Sequence, residues 1–147
     1  MARARDHIPA VTKIDDIQSD FAVLDDWDDR YRHLIELGKQ LPPLPESQRI
    51  AANKVQGCAS QVWLSTRMGS DGRLQFLGDS DALIVRGLVA VVLAIFSDQH
   101  PWEIAAIDAE AIFRRLDLAA HLSAQRSNGL RSMVARIKAE AKARTPA

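Results

Sequence analysis

The chain has 147 residues, 47% hydrophobic and 26% charged, which fits one soluble domain with one sizeable core. Its 19 basic and 19 acidic residues cancel, which argues against a general nucleic-acid binder, because such proteins carry a basic footprint. The single cysteine excludes an internal disulfide and an all-cysteine metal site, and suits a reducing compartment.

Residues 1–12 show no clean period and read as a flexible N-terminal tail ahead of a single domain over 13–144. The opening MARARDHIPAV lacks a long apolar run, so no secretory signal is expected. In Lys13–Leu24 the residues Ile14, Ile17, Phe21 and Leu24 recur at helical spacing and predict a first helix. The segment DDWDDRYRHLIELGKQL repeats the pattern with Trp27, Tyr31, Leu34, Ile35 and Leu41. Asp25, Asp26, Asp28 and Asp29 crowd its start, where they favour the positive end of a helix. Gly38 reads as its terminator, and the PPLP run at Pro42–Pro45 forbids further regular helix.

Past a polar stretch, Val62, Leu64 and Thr66 alternate with Trp63, Ser65 and Arg67. Leu74 and Phe76 alternate with Arg73, Gln75 and Leu77, and Gly69–Gly72 supplies the turn between the two runs. This predicts an antiparallel hairpin with a loop longer than two residues. A third short strand is expected around Asn53–Gln56. Asp81–Phe96 is apolar nearly all round and reads as the central buried helix. Its oily part, Ala82–Phe96, spans roughly 22 Å, short of a ~30 Å bilayer core, and a cytoplasmic location is the expectation. Pro101 opens a short helix and Asp108 caps another. The last helix stripes Leu130, Met133, Val134 and Ile137, with Ser123 and Asn128 both candidate caps. Two or three strands, five or six helices and no strand–helix alternation give an α+β fold. In it a small antiparallel β-sheet packs against several α-helices.

Cys58 is the sharpest chemical feature. It follows Gly57, which lets the backbone turn tightly, and a cysteine at such a loop tip can reach into a partner's cleft. The plain alternative is an inert core cysteine, since free cysteines are often buried. His7, His33, His100 and His121 are scattered without metal-ligand spacing, and His33 and His121 fit satisfied helix positions better than nucleophilic partners. The GSDG at Gly69–Gly72 is turn chemistry and no phosphate loop occurs. Asp79 and Asp81 are read as cap and turn residues before a helix. Tyr31, Trp27, Trp63 and Trp102 read as core or rim. Arg86 and Arg126 read as ion pairs or surface groups ahead of anion sites.

Four stretches together carry a resemblance. They are DWDDRYRHLIELGKQLPPLP at Asp26–Pro45, NKVQGCASQVWL at Asn53–Leu64, GDSDALIVRGLVAVVLAIF at Gly78–Phe96 and LSAQRSNGLRSM at Leu122–Met133. In this order and spacing they resemble the SufE family of sulfur acceptors in iron–sulfur cluster assembly, whose close relatives include the CsdE-type acceptors. The resemblance covers roughly Ile14 to Ala141. It implies a fold similar to the U-type iron–sulfur scaffold proteins. It also implies a sulfur carrier that stimulates a pyridoxal-phosphate (PLP) cysteine desulfurase, SufS-like or CsdA-like, and delivers sulfur to a SufBCD-like scaffold complex. By resemblance Cys58 is the persulfide-forming acceptor, and Arg126 in QRSNGL matches an arginine near the acceptor site that contacts thiolate, persulfide or partner. No cofactor or metal is implied for this chain, because the PLP belongs to the partner. The same resemblance suggests a sheltered resting thiol that becomes reactive on docking, with Lys54 close in sequence and Arg126 close in space. A U-type scaffold role is disfavoured, because such scaffolds commonly use three cysteines. An adaptor with a structural Cys58 and a cysteine hydrolase are the remaining classes.

Overall fold

The computed structural model describes residues 13–145. The tail expected over 1–12 lies outside the described residues. Helix α1, Ile14–Val23, buries Ile17 and Phe21, as their spacing demands. Helix α2, Trp27–Lys39, starts at Asp26, whose carboxylate accepts from the Asp28 amide at 2.9 Å. Asp28 and Asp29 occupy its first turn and Lys39 its last, each suiting the local end of the dipole.

Gly38 does not terminate α2. It lies inside the helix and is buried. A Cβ there would sit 2.7 Å from the Gly87 amide nitrogen, and one on Gly87 would sit 2.2 Å from the Leu34 carbonyl oxygen. The two glycines therefore let α2 pack against the central helix backbone to backbone, a need of tertiary packing that the local sequence does not announce.

After the proline run come two 3-10 turns, Glu46–Gln48 and Ala51–Asn53. The third strand expected around Asn53–Gln56 shrinks to one bridge, Lys54 opposite Trp63, because the 3-10 turn uses up the residues before it. Strands β1, Val62–Met68, and β2, Leu74–Ser80, form a two-stranded antiparallel sheet with Val62 opposite Ser80 and Met68 opposite Leu74. Val62, Leu64, Leu74 and Phe76 are buried and form the face turned to the core.

Helix α3, Leu83–Phe96, is the central element, with all but Leu83, Arg86 and Ala94 buried. It packs against α2, the sheet and the last helix. It starts two residues later than expected. The Asp81 amide turns back to the Gln61 carbonyl at 3.3 Å and Ser80 Oγ takes the Ala82 amide at 3.2 Å. Asp79 is also more than a turn residue: its buried carboxylate is shared by Arg49 and Arg86, with the Arg86 Nε at 2.8 Å. Burial alone would raise the Asp79 pKa. The hydrogen bond from Arg49, the Ser80 amide and the charge of Arg86 outweigh it and hold the carboxyl below the usual carboxylate range. Short helices α4, Pro101–Ala106, and α5, Ala109–Arg115, follow, the second capped by Asp108 as expected. Helix α6, Ala124–Ala143, buries Gly129, Leu130, Met133, Ile137 and Ala141. Ser123 is its cap, accepting from the Arg126 amide at 3.2 Å; Asn128 lies one turn inside. Small antiparallel sheet and surrounding helices together make the expected α+β fold. Among the described residues no helix is long and apolar enough to cross a membrane.

Candidate functional site

Cys58 sits in the loop 56–60, which joins the Lys54 bridge to β1. Both ends of this loop are pinned. On one side the Val55 amide donates to the Val62 carbonyl at 2.8 Å. Arg136 of α6 reaches across and donates to the carbonyls of Ala52 at 2.5 Å and Lys54 at 3.1 Å. On the other side the Gln61 amide donates to Asp81 Oδ1 at 3.0 Å. Between the pins, residues 56–60 belong to no helix or strand: Gln56 and Gly57 form a turn, and Ala59 and Ser60 a bend. Gln56, Gly57 and Ala59 are exposed, whereas Cys58 is half-buried.

Gly57 has φ +88°, a left-handed conformation that L side chains rarely adopt. A Cβ there would meet Ser132 Oγ at 2.4 Å. The glycine thus does two things: it turns the chain, and it lets the loop lie close against α6. The turn aims Cys58 inward. Its thiol faces the Gly129 carbonyl, with Sγ 3.6 Å from the oxygen, and its side chain packs on the edge of the core.

A cavity of about 350 Å³ opens beside the sulfur. Val85 and Leu88 of α3 and Met133 of α6 give it apolar walls. Ser123, Gln125, Arg126 and Gly129 from the start of α6 complete it with Ala59 and Ser60. Burial pushes the Cys58 thiol above its ordinary pKa. The Gly129 carbonyl can accept from the neutral S–H but offers nothing to a thiolate. The resting site therefore favours the protonated thiol, stored against an apolar wall with room for a further heavy atom.

The structure brings Cys58 and Arg126 into one cavity, although 68 positions separate them in the numbering. Arg126 is half-buried and its Nη1 donates to Tyr31 Oη at 2.7 Å. The ion-pair reading holds for Arg86, on Asp79; Arg126 is instead held by the Tyr31 phenol. Lys54 does not line the cavity; its backbone makes the bridge to Trp63. The described histidines stand elsewhere. His33 Nε2 is 3.0 Å from Asp20, His121 stacks on Trp27 at 4.0 Å and His100 on Trp102 at 4.1 Å. His7 lies outside the described residues. No group of three or more His, Cys, Asp or Glu side chains among the described residues converges on a metal-sized site.

Three contributors escape a reading by sequence. Gly129 supplies a carbonyl through a helix interior, Arg136 grips the loop base, and Tyr31 holds Arg126 from another helix. Of these only Gly129 carries a local signal, a glycine within a helical pattern, which often marks close packing.

The SufE model, described as an Fe-S metabolism associated domain, matches residues 15–141. A SufE-like protein of Rhizobium meliloti is 59% identical over 140 residues, covering 93% of this chain and all of that one. A SufE-like protein of Rhizobium etli is 57% identical over 140 residues, covering 93% and 95%. The solution structure of a hypothetical protein from Thermus thermophilus superposes with a TM-score of 0.73 at 17% identity, over 92% of this chain and 98% of that one. That last likeness concerns the fold alone. A family match across nearly the whole described chain, with relatives at this identity, decides the matter: the chain belongs to the SufE family, a family of sulfur carriers and activators rather than enzymes.

Proposed function

We propose that Cys58 accepts sulfur from the persulfide of a PLP-dependent cysteine desulfurase, and that the protein stimulates this desulfurase and passes the sulfur to a SufBCD-like scaffold. The observation that carries this reading is the sole cysteine, half-buried on a glycine-turned loop over a cavity it shares with Arg126. SufE-family membership supports it.

The exchange is isoelectronic. The Cys58 thiolate attacks the outer sulfur of the donor persulfide, the donor sulfur–sulfur bond breaks, and a new one forms on Cys58. The donor cysteine leaves as a thiolate. No electron is gained or lost overall, and the only proton to place is the one that Cys58 gives up before attack. The apolar cavity wall then shields the outer sulfur from small reductants between encounters. PLP stays with the desulfurase, where carbon–sulfur cleavage occurs.

The test is intact-mass measurement after incubation with a SufS-like or CsdA-like desulfurase and free cysteine. The expected result is a gain of one sulfur mass, or multiples of it, removed by a reductant and absent in Cys58→Ser. A wild-type chain that gains no sulfur from either type of desulfurase overturns the relay. Full stimulation and sulfur delivery by Cys58→Ser assigns the protein an adaptor role instead.

A further inference from the structure

The position of the Arg126 charge is set by a residue far away in the chain. Its Nη1 donates to the phenolic oxygen of Tyr31, 95 residues earlier, at 2.7 Å. Tyr31 belongs to α2, and Arg126 is the third residue of α6. The backbone of Arg126 is already fixed by the Ser123 cap. The remaining freedom lies in the long side chain, which left alone samples many rotamers. The phenol removes that freedom.

The chemistry of the acceptor matters. A carboxylate would bind the guanidinium more tightly but would also neutralise it. A phenol is uncharged at neutral pH and accepts through its oxygen. The contact therefore fixes the cation and leaves its charge intact. The ion pairs among the described residues engage Arg32, Arg49, Arg73, Arg86, Arg131, Arg136 and Arg144, and not Arg126. Arg126 is thus a fixed cation in the wall of the Cys58 cavity, with no ion-pair partner among the described residues.

We propose that Tyr31 is a positioning residue that holds the charge of Arg126 in the Cys58 cavity, where it attracts anions arriving at the sulfur. This deepens the sulfur-acceptor reading and rests on it. In that exchange the donor cysteine leaves as a thiolate, and a fixed cation in the cavity wall favours that charge.

The test uses the full chain without a desulfurase. Cys58 is alkylated with iodoacetate, an anion, and in parallel with iodoacetamide, its neutral counterpart. In both reactions the thiolate forms a carbon–sulfur bond and iodide leaves. The ratio of the two rates cancels thiol ionisation and loop opening and reports the local charge. We expect Arg126→Ala to lower the ratio by about threefold or more, and Tyr31→Phe to lower it about twofold. Tyr31→Phe added to Arg126→Ala should change nothing further. Tyr31→Leu, which also lacks the acceptor, must act as Tyr31→Phe does, so a folding defect in one variant leaves the other to decide. Melting curves of each variant accompany the rates. An unchanged ratio in a folded Tyr31 variant overturns the proposal and leaves Tyr31 as a structural link between α2 and α6. An unchanged ratio in Arg126→Ala also overturns it. Failure of the relay itself shows separately, as wild-type protein that gains no sulfur by mass.

Discussion

The Sγ of Cys58 lies 3.6 Å from the carbonyl oxygen of Gly129, a contact that joins a surface loop to the first turns of the last helix. A carbonyl accepts from a thiol and repels a thiolate, so this contact favours the neutral form. Burial acts in the same direction. The nucleophile is therefore held in its unreactive state until something changes its surroundings.

The first prediction concerns pH. The pKa of the resting thiol is raised, so at neutral pH a smaller fraction is thiolate than in the unfolded chain, where thiols titrate near ~8.5. The rate of Cys58 alkylation by iodoacetamide should rise with pH with a midpoint above that of the urea-unfolded chain. Because folding favours the protonated thiol, its contribution to stability is complete below the unfolded pKa and fades as pH rises through the folded one. A midpoint at or below the unfolded value would show that a positive charge outweighs burial at the resting sulfur.

Gly57 gives the second. Its φ of +88° and the 2.4 Å approach of a would-be Cβ to Ser132 Oγ are separate obstacles to any other residue. The left-handed conformation alone costs an L residue about 1–2 kcal/mol. Gly57→Ala should lower stability by at least that amount, or force the loop off α6 and speed Cys58 alkylation. Adding Ser132→Ala removes the hydroxyl but not the backbone strain, so it should restore only part of the loss. Urea titrations of the two single variants and the double variant separate the terms. A Gly57→Ala protein as stable as wild type and with unchanged alkylation would mean that the loop turn is not needed to seat the thiol.

The third prediction rests on Asp79, which holds Arg49 and Arg86 together at the base of α3. Asp79→Asn keeps the shape and removes the charge, leaving two arginines without their shared counterion. Removing one partner of a fully buried pair costs about 3–5 kcal/mol, but the two arginine side chains are 26% and 35% exposed, so roughly 1–3 kcal/mol is expected here. The pH dependence has a definite sign. The pKa of the folded carboxyl is depressed, so its contribution is complete above the unfolded value near ~3.9 and is lost as pH falls through the lower folded value. Denaturant titrations from about pH 6 to pH 2 should find wild type and Asp79→Asn converging only at the acid end. Equal stability at pH 6 would remove Asp79 from the list of fold-holding residues.

The sequence was most readable where a periodic pattern met a local stop signal. The hairpin, the central helix, the Asp108 cap and the apolar stripe of the last helix all lie in such stretches, and all are found. It misled where tertiary packing overrides local preference. Gly38 looks like a helix end, because glycine usually is one, yet its missing side chain serves the contact with Gly87. Asp79 looks like a cap, because the partners that claim it lie 30 and 7 residues away. The candidate site shows the same division. Cys58 and its glycine are adjacent in sequence, and Arg126 was marked by a motif. Tyr31, Gly129 and Arg136 act on the site only through folding, from 95, 71 and 82 residues away from their partners.

The last prediction is that the loop 56–60 has two positions. Its ends are held by Val55, Gln61 and the Arg136 clamp, while its middle belongs to no helix or strand. What seats Cys58 is the contact to Gly129 and the packing of one half-buried side chain on the cavity edge. A single weak sulfur–carbonyl contact and partial burial are small terms, so an outward position lies within a few kcal/mol, a range that partner binding can supply. Transfer requires that position. The thiolate must touch the donor's outer sulfur, and a half-buried thiol aimed at Gly129 cannot enter another protein's cleft. Outward movement also removes both influences that hold the thiol neutral, burial and the carbonyl, so reach and reactivity arrive together. Alkylation of Cys58 should therefore be slow in the isolated protein, and faster when a desulfurase lacking its own active cysteine is bound. Contact with the partner can shield the sulfur, so hydrogen exchange across Gln56–Ser60 is measured in both states, with faster exchange expected in the complex at Cys58 and its neighbours. Arg136→Ala loosens the base of the loop without touching the sulfur, and should raise alkylation of the free protein. Fast alkylation of the free protein, with no further gain in the complex and no change in loop exchange, would leave Cys58 working from one permanently open position.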